Sequence, residues 1–305
     1  MSDDVLSRRT ALFLFSIVVF TWGINWVLTK VIVNSVNPIW TTAIRSVIAS
    51  IALFFVLVLR RQLIVPKLGD IPVILAIAVL HMVGFSTLVA YGVRYVPVGQ
   101  SIVLAYTTPL WVAPAAWLFL KEPLSGPRLG GIIVGLVGIA VLFNPISFDR
   151  HDEHALLGNG LIMLAALCWA GSIIYVRAHR WISTPFQLVF WETTLAAVIL
   201  TVLGYSTVGA PEITWTPALV TEFLFAGVCG TALAYWAMAT VNRSLPATTT
   251  ALGMLATPIV GIAGSTLWLG ESLSGTLLTA MTLVMAGIVM GTVRYPGRRV
   301  ARPGT

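Results

Sequence analysis

Ten runs of predominantly apolar residues divide this chain almost from end to end: 11–33, 39–59, 70–91, 97–119, 128–143, 157–177, 186–204, 217–239, 246–268 and 274–293. A hydrocarbon core about 30 Å thick takes roughly 20 residues of helix to cross. The fifth run is short and is expected to lie nearly upright or to extend past these ends. Lipid offers backbone N–H and C=O groups no partner, so each run must be helical. Of the 305 residues, 58% are hydrophobic and only 10% charged, against about 25% charged in a soluble domain. An all-α integral membrane protein with ten transmembrane helices follows. Arg8 and Arg9 precede an apolar stretch too long for a signal-peptide core and lacking a small-residue cleavage site, so it reads as a first membrane helix.

The cations set the orientation. With the N-terminus in the cytoplasm, 14 of the 18 Lys and Arg residues fall on the cytoplasmic side, and the other four are Lys30, Arg45, Arg94 and Arg150. Positive residues accumulate on that side of membrane proteins. Both termini are therefore expected inside, in a bacterial-type inner membrane. The net charge of +7 lies in short clusters between apolar runs, with no basic stripe for nucleic acid. Cys168 and Cys229 sit within apolar runs and read as small core residues. His151 and His154, in the polar stretch 144–158, read as loop residues and not as metal ligands, and no cofactor is expected.

The chain repeats itself. At an offset of 149, Pro97 falls on Pro246, Thr108-Pro109 on Thr257-Pro258, Glu122 on Glu271, and "LSG" at 124–126 on "LSG" at 273–275. Near the N-terminus an offset of 147 pairs Trp22 with Trp169, Asn25 with Ser172, Lys30 with Arg177 and Pro38 with Pro185. Each copy, 1–150 and 151–305, holds five spans. Five is odd, so the second copy enters the membrane from the opposite side. An inverted-topology repeat of this kind is a signature of secondary transporters, with the binding site near the midplane between the halves.

Two five-span repeats with a Trp-rich first helix resemble the drug/metabolite transporter superfamily and its EamA-type exporters. So do a Thr-Pro step in the fourth helix of each repeat and the elements "FLKEPLSG" (119–126) and "WLGESLSG" (268–275). The richness in tryptophan is similar to that of the YddG-type aromatic amino acid exporters. The resemblance implies a basket of helices around a central cavity, with the fifth and tenth helices to one side. It also implies that Arg45 occupies a place where such transporters carry arginine, holding a substrate carboxylate, bracing helix ends or snorkelling.

The polar groups inside the spans mark the expected site. Trp22, Asn25, Trp26 and Thr29 recur at i, i+3, i+4 and i+7 and share one helical face. An unpaired amide in hydrocarbon costs several kcal/mol, so Asn25 must face protein or water. Trp169, Ser172 and Tyr175 are the counterparts in the second repeat. Pro109 and Pro258 each remove a backbone donor from a helix, and matched breaks of this kind point to kinks that gate a transport site. Tyr106, Thr107 and Met254 lie one turn away; His81, Tyr91, Tyr235 and Trp236 complete the candidate substrate-binding set. Arg45 and Glu192 occupy matching places in the two repeats, and inversion sets them near opposite sides, so they are not expected to pair. Glu122 and Glu271 are expected to accept backbone N–H groups at the start of the fifth and tenth helices. Glycines at 131, 135, 138, 287 and 291 allow close helix contact, within the chain or between two copies in a homodimer.

The expected function is export of aromatic or hydrophobic amino acids by alternating access, with the small-molecule substrate and the lipid bilayer as partners. The alternative within transport is a multidrug or organic cation exporter. A membrane enzyme would need a cluster of His, Cys or acidic residues, and a scaffold would not need polar faces on inverted helices.

Overall fold

The computed structural model describes residues 6–143 and 153–292, the side chains at 143, 247, 248 and 251 excepted. Residues 144–152, which hold His151, Arg150 and the boundary between the two repeats, lie outside the described residues. Ten membrane-crossing helices are present among the described residues: α1 (Arg8–Ser35), α2 (Pro38–Leu59), α3 (Leu68–Gly92), α4 (Val98–Leu120), α5 (Gly126–Phe143), α6 (Glu153–Ala178), α7 (Pro185–Thr207), α8 (Pro217–Ser244), α9 (247–269) and α10 (Gly275–Thr292). Ten crossings return the chain to its starting side, called the terminal side below; the other is the far side.

The inverted repeat shows in local structure. Asn37 and Thr184 cap α2 and α7 with side-chain oxygens that accept the backbone N–H of Ile39 and Gln187, and both helices start with proline. Such caps satisfy N–H groups a helix start leaves unpaired. Nine-residue π-helical segments sit in matching places, Ile77–Phe85 in α3 and Phe225–Leu233 in α8. Both fourth helices of the repeats are broken just before their Thr-Pro step. In α4, Val98–Ala105 gives way to Thr108–Leu120; in α9, Ala247–Gly253 gives way to Ala256–Leu269. Thr108 stabilises the first break by donating to the carbonyls of Ala105 (2.7 Å) and Ala166 (3.3 Å), and Thr257 is likewise fully buried. Backbones capable of such breaks persist in a membrane only where protein or a cavity meets their polar groups.

Helices α5 and α10 pack against each other to one side. A Cβ on Gly131 would lie 2.4 Å from the Gly287 carbonyl oxygen, and one on Gly287 equally close to that of Gly131. These glycines serve contact within the chain. The lipid-facing perimeter carries exposed Phe13, Phe20, Trp117, Leu267 and Trp268.

One expectation is corrected. Glu271 accepts the N–H groups of Val98 (2.7 Å) and Gly99 (3.1 Å) at the start of α4, not of α10. Glu122 is bonded to Arg177 and lies 3.5 Å from Arg128. Glu122 takes charged donors in place of local amides, as a carboxylate gains more from them, whereas Glu271 finds its two backbone amides at the start of a different helix.

Candidate functional site: a central cavity

A cavity of about 220 Å³ lies among α1, α2, α3, α4, α6, α7 and α8. No described residue of α5, α9 or α10 lines it.

Helix α1 presents Trp22, Asn25, Trp26 and Thr29 to the cavity, the one-faced stripe of the sequence. Trp22 donates from Nε1 to the Gly230 carbonyl at 3.1 Å and meets Tyr235 edge-on, ring centroids 6.0 Å apart. The amide oxygen of Asn25 has no hydrogen-bond partner. It approaches the α8 backbone so closely that a Cβ on Gly230 would sit 2.9 Å from it. Only glycine leaves that space.

Across the cavity Trp169 of α6 is ringed by His81 (5.6 Å), Phe85 (5.1 Å) and Tyr106 (6.0 Å), all centroid distances. The Tyr235 hydroxyl lies 3.3 Å from His81 Nε2, tying α8 to α3. Arg45 of α2 brings the guanidinium into the lining and makes no ion pair with any described residue. Glu192, its repeat-mate, is 4% exposed and likewise unpaired, so the two do not meet. Hydroxyls of Thr29, Ser46, Thr193 and Thr231 donate to carbonyls of their own helices, leaving oxygen lone pairs for a ligand. The cavity thus offers one cationic anchor, hydroxyl lone pairs and aromatic walls, while the Asn25 oxygen is buried against the α8 backbone.

Of the candidate residues, Trp22, Asn25, Trp26, Arg45, His81, Tyr106, Trp169 and Tyr235 converge on the cavity. Six lie elsewhere. Tyr91 reaches Asn37 Oδ1 at 3.5 Å near the far side, and Thr107 is buried, accepting from Trp111 Nε1 at 3.1 Å. Ser172 is buried between helices, and Tyr175 is 41% exposed. Each three-residue step turns an α-helix about 60° short of a full turn, so Tyr175 points some 120° away from Trp169. Trp236 stacks beneath the Arg60 guanidinium, 4.8 Å from it, and Met254 packs beside Phe15, Val19 and Val241. Pro109 and Pro258 stand at the breaks in α4 and α9, outside the lining. Ser46, Met82, Phe85, Ser86, Val89, Thr193, Gly230 and Thr231 line the cavity without having been singled out. Phe85 and Val89 follow His81 at i+4 and i+8, but as apolar residues at and beyond the end of a π-helical segment they carry no signal of their own.

At the terminal side, outside the spans, the Arg177 hydrogen bond outweighs the burial opposing it. With the charges of Arg177 and Arg128, it holds the Glu122 carboxyl below the usual carboxylate range.

Ten membrane-crossing helices in two inverted repeats around such a cavity define a multi-pass membrane transporter. Residues 9–144 and 156–293 each match the model of the EamA-like transporter family. The chain belongs to that family, part of the drug/metabolite transporter superfamily. It is 24% identical over 283 residues to the uncharacterized transporter YoaV of Bacillus subtilis (strain 168), covering 93% of this chain and 97% of that protein. It is 27% identical over 319 residues to a probable amino-acid metabolite efflux pump of Salmonella typhimurium, covering 97% and 99%. A solved structure described only as "Crystal structure of protein" superposes with a TM-score of 0.65 at 17% identity, covering 93% of this chain and 96% of its own, which supports the fold.

Proposed function

We propose that this transporter exports amino acids with aromatic or large apolar side chains across a bacterial-type inner membrane by alternating access. The observation that carries the reading is the unpaired Arg45 guanidinium in a cavity walled by rings and edged by hydroxyls. A guanidinium binds a carboxylate bidentately, the hydroxyl oxygens of Thr29, Ser46, Thr193 and Thr231 accept from an ammonium, and Trp22, Trp26, Tyr106 and Trp169 stack on the side chain. The Salmonella relative, named a probable amino-acid metabolite efflux pump, points the same way. Arg45 repels a permanent cation, which sets this reading above the organic cation alternative.

In this reading the terminal side is the cytoplasm, as the Lys and Arg distribution indicates, and the units 1–150 and 151–305 rock against each other. Counterflow of labelled tryptophan and leucine in proteoliposomes tests it, with a quaternary ammonium compound as comparison. Saturable flux of the amino acids alone is expected. Flux of the quaternary cation alone, or of neither, overturns the proposal.

A further inference from the structure

The two ends of the cavity are held differently, although the repeat supplies both with the same residues. On the far side, Glu271 accepts from the N–H groups of Val98 and Gly99 of α4. Lys30 donates to the Val93 and Val96 carbonyls at the end of α3. A glutamate and a lysine thus tie four helices together. The outer half of α4 is accordingly buried, with Val98, Ile102 and Leu104 all at 0% exposure.

The repeat-mates of these residues are Glu122 and Arg177, and on the terminal side they bind each other. Arg128 occupies the second carboxylate oxygen of Glu122, and the ion pair is open to solvent, with side chains 40% and 27% exposed. The mate of the outer half of α4 is the inner half of α9, where Thr250 is buried but Leu252 and Gly253, the counterparts of buried Val103 and Leu104, are only half-buried. The far side is latched and the terminal side is not.

We infer that these four residues form a pair of latches that alternate. In the opposite state Glu122 accepts the backbone N–H groups at the start of α9, residues 247 and 248, and Arg177 donates to carbonyls at the end of α8. Glu271, released from α4, then pairs with Lys30. The reason is structural economy in an inverted repeat: the second repeat can adopt the arrangement of the first, so each asymmetric contact has an exchanged counterpart. A carboxylate on two part-buried amides is a strong contact, whereas an exposed ion pair is weak. Each glutamate therefore stabilises mainly the state in which it caps a helix. The inference rests on the alternating-access part of the proposed function and not on the identity of the cargo.

The test reads conformations without cargo. Spin labels at Arg94→Cys and Ser272→Cys report the far side, and labels at Ser125→Cys and Asn242→Cys the terminal side. All four sites are exposed, and Cys168 and Cys229 are replaced by alanine. Distances are measured in lipid nanodiscs. Glu271→Gln is expected to raise the far-side-open population roughly tenfold, the loss of charge on two backbone hydrogen bonds. Glu122→Gln shifts it the other way. Arg128→Gln, which frees Glu122 without touching its cap, gives a small shift in the same sense as Glu271→Gln. Opposite signs for the two partners of the Glu122–Arg128 contact exclude a static salt bridge. Shifts of one sign, or unchanged populations in variants that keep two wild-type states, overturn the latch. A wild-type protein held in one state under all conditions overturns alternating access itself.

Discussion

Gly230→Ala isolates the placement of Asn25 from the stability of the fold. The added Cβ would stand 2.9 Å from Asn25 Oδ1 and 3.0 Å from its Cγ. Ordinary contact begins near 3.4 Å, so the amide must retreat by about half an ångström. A 1 Å misplacement at a reacting or binding group can cost roughly 100-fold, so a tenfold rise in KM for amino acid counterflow is expected. Alanine is the better helix former by about 1 kcal/mol, so thermal stability in detergent should hold or rise slightly. Gly171→Ala is the control, because its Cβ would meet Leu80 Cδ1 at 3.6 Å, an ordinary distance. Transport by Gly230→Ala within twofold of wild type would refute the reasoning, and so would an equal loss in Gly171→Ala.

Three further outcomes follow from other contacts. Arg45→Gln should raise the KM for a zwitterionic amino acid on the order of 10- to 100-fold, since hydrogen bonds to charged groups are worth about 1.5–3 kcal/mol; an unchanged KM in a transport assay would remove Arg45 from the site. Gly287→Ala places a Cβ 2.4 Å from the Gly131 carbonyl oxygen and 2.8 Å from the Gly135 backbone nitrogen, and should lower stability by about 1–3 kcal/mol as α5 and α10 are forced apart, read as a drop in melting temperature in detergent. The Glu122 carboxyl is held low in the folded state, so its pairing with Arg177 stabilises fully above the ordinary carboxylate value of 4.5 and is lost as the pH falls through the lowered value; in Glu122→Gln this acid-side loss, followed by melting temperature against pH, should shrink.

Much of the architecture could be read from the chain because membrane crossing imposes a length and a composition that few other folds meet. The repeat was legible through residues with special backbones, Pro38 with Pro185 and Thr108-Pro109 with Thr257-Pro258. The α1 face was legible because Trp22, Asn25 and Thr29 break an apolar run at helical spacing. Phe85, Met82 and Val89 were not, since an apolar residue looks the same facing a cavity, a neighbour or lipid. The π-helical segments of α3 and α8 added to this, because i→i+5 bonding rotates later residues off an α-helical wheel. Ser172 and Tyr175 were assigned from their mates in α1, but α6 turns them toward neighbouring helices and lipid. The pairing of Glu122 with Arg177 and of Glu271 with the start of α4 could not be seen, because these partners lie 55 and more than 170 residues away.

Direct binding separates the two charged ends of the cargo and tests the cavity most plainly. Calorimetry of the purified protein with tryptophan, tryptamine and indole-3-propionate asks whether both the carboxylate and the ammonium are recognised. Tryptophan should bind most tightly, losing affinity on removal of the carboxylate and losing it again in Arg45→Gln, where tryptophan and tryptamine should become nearly equal. Equal binding of tryptamine and tryptophan by the wild-type protein would contradict a cavity built around an unpaired guanidinium.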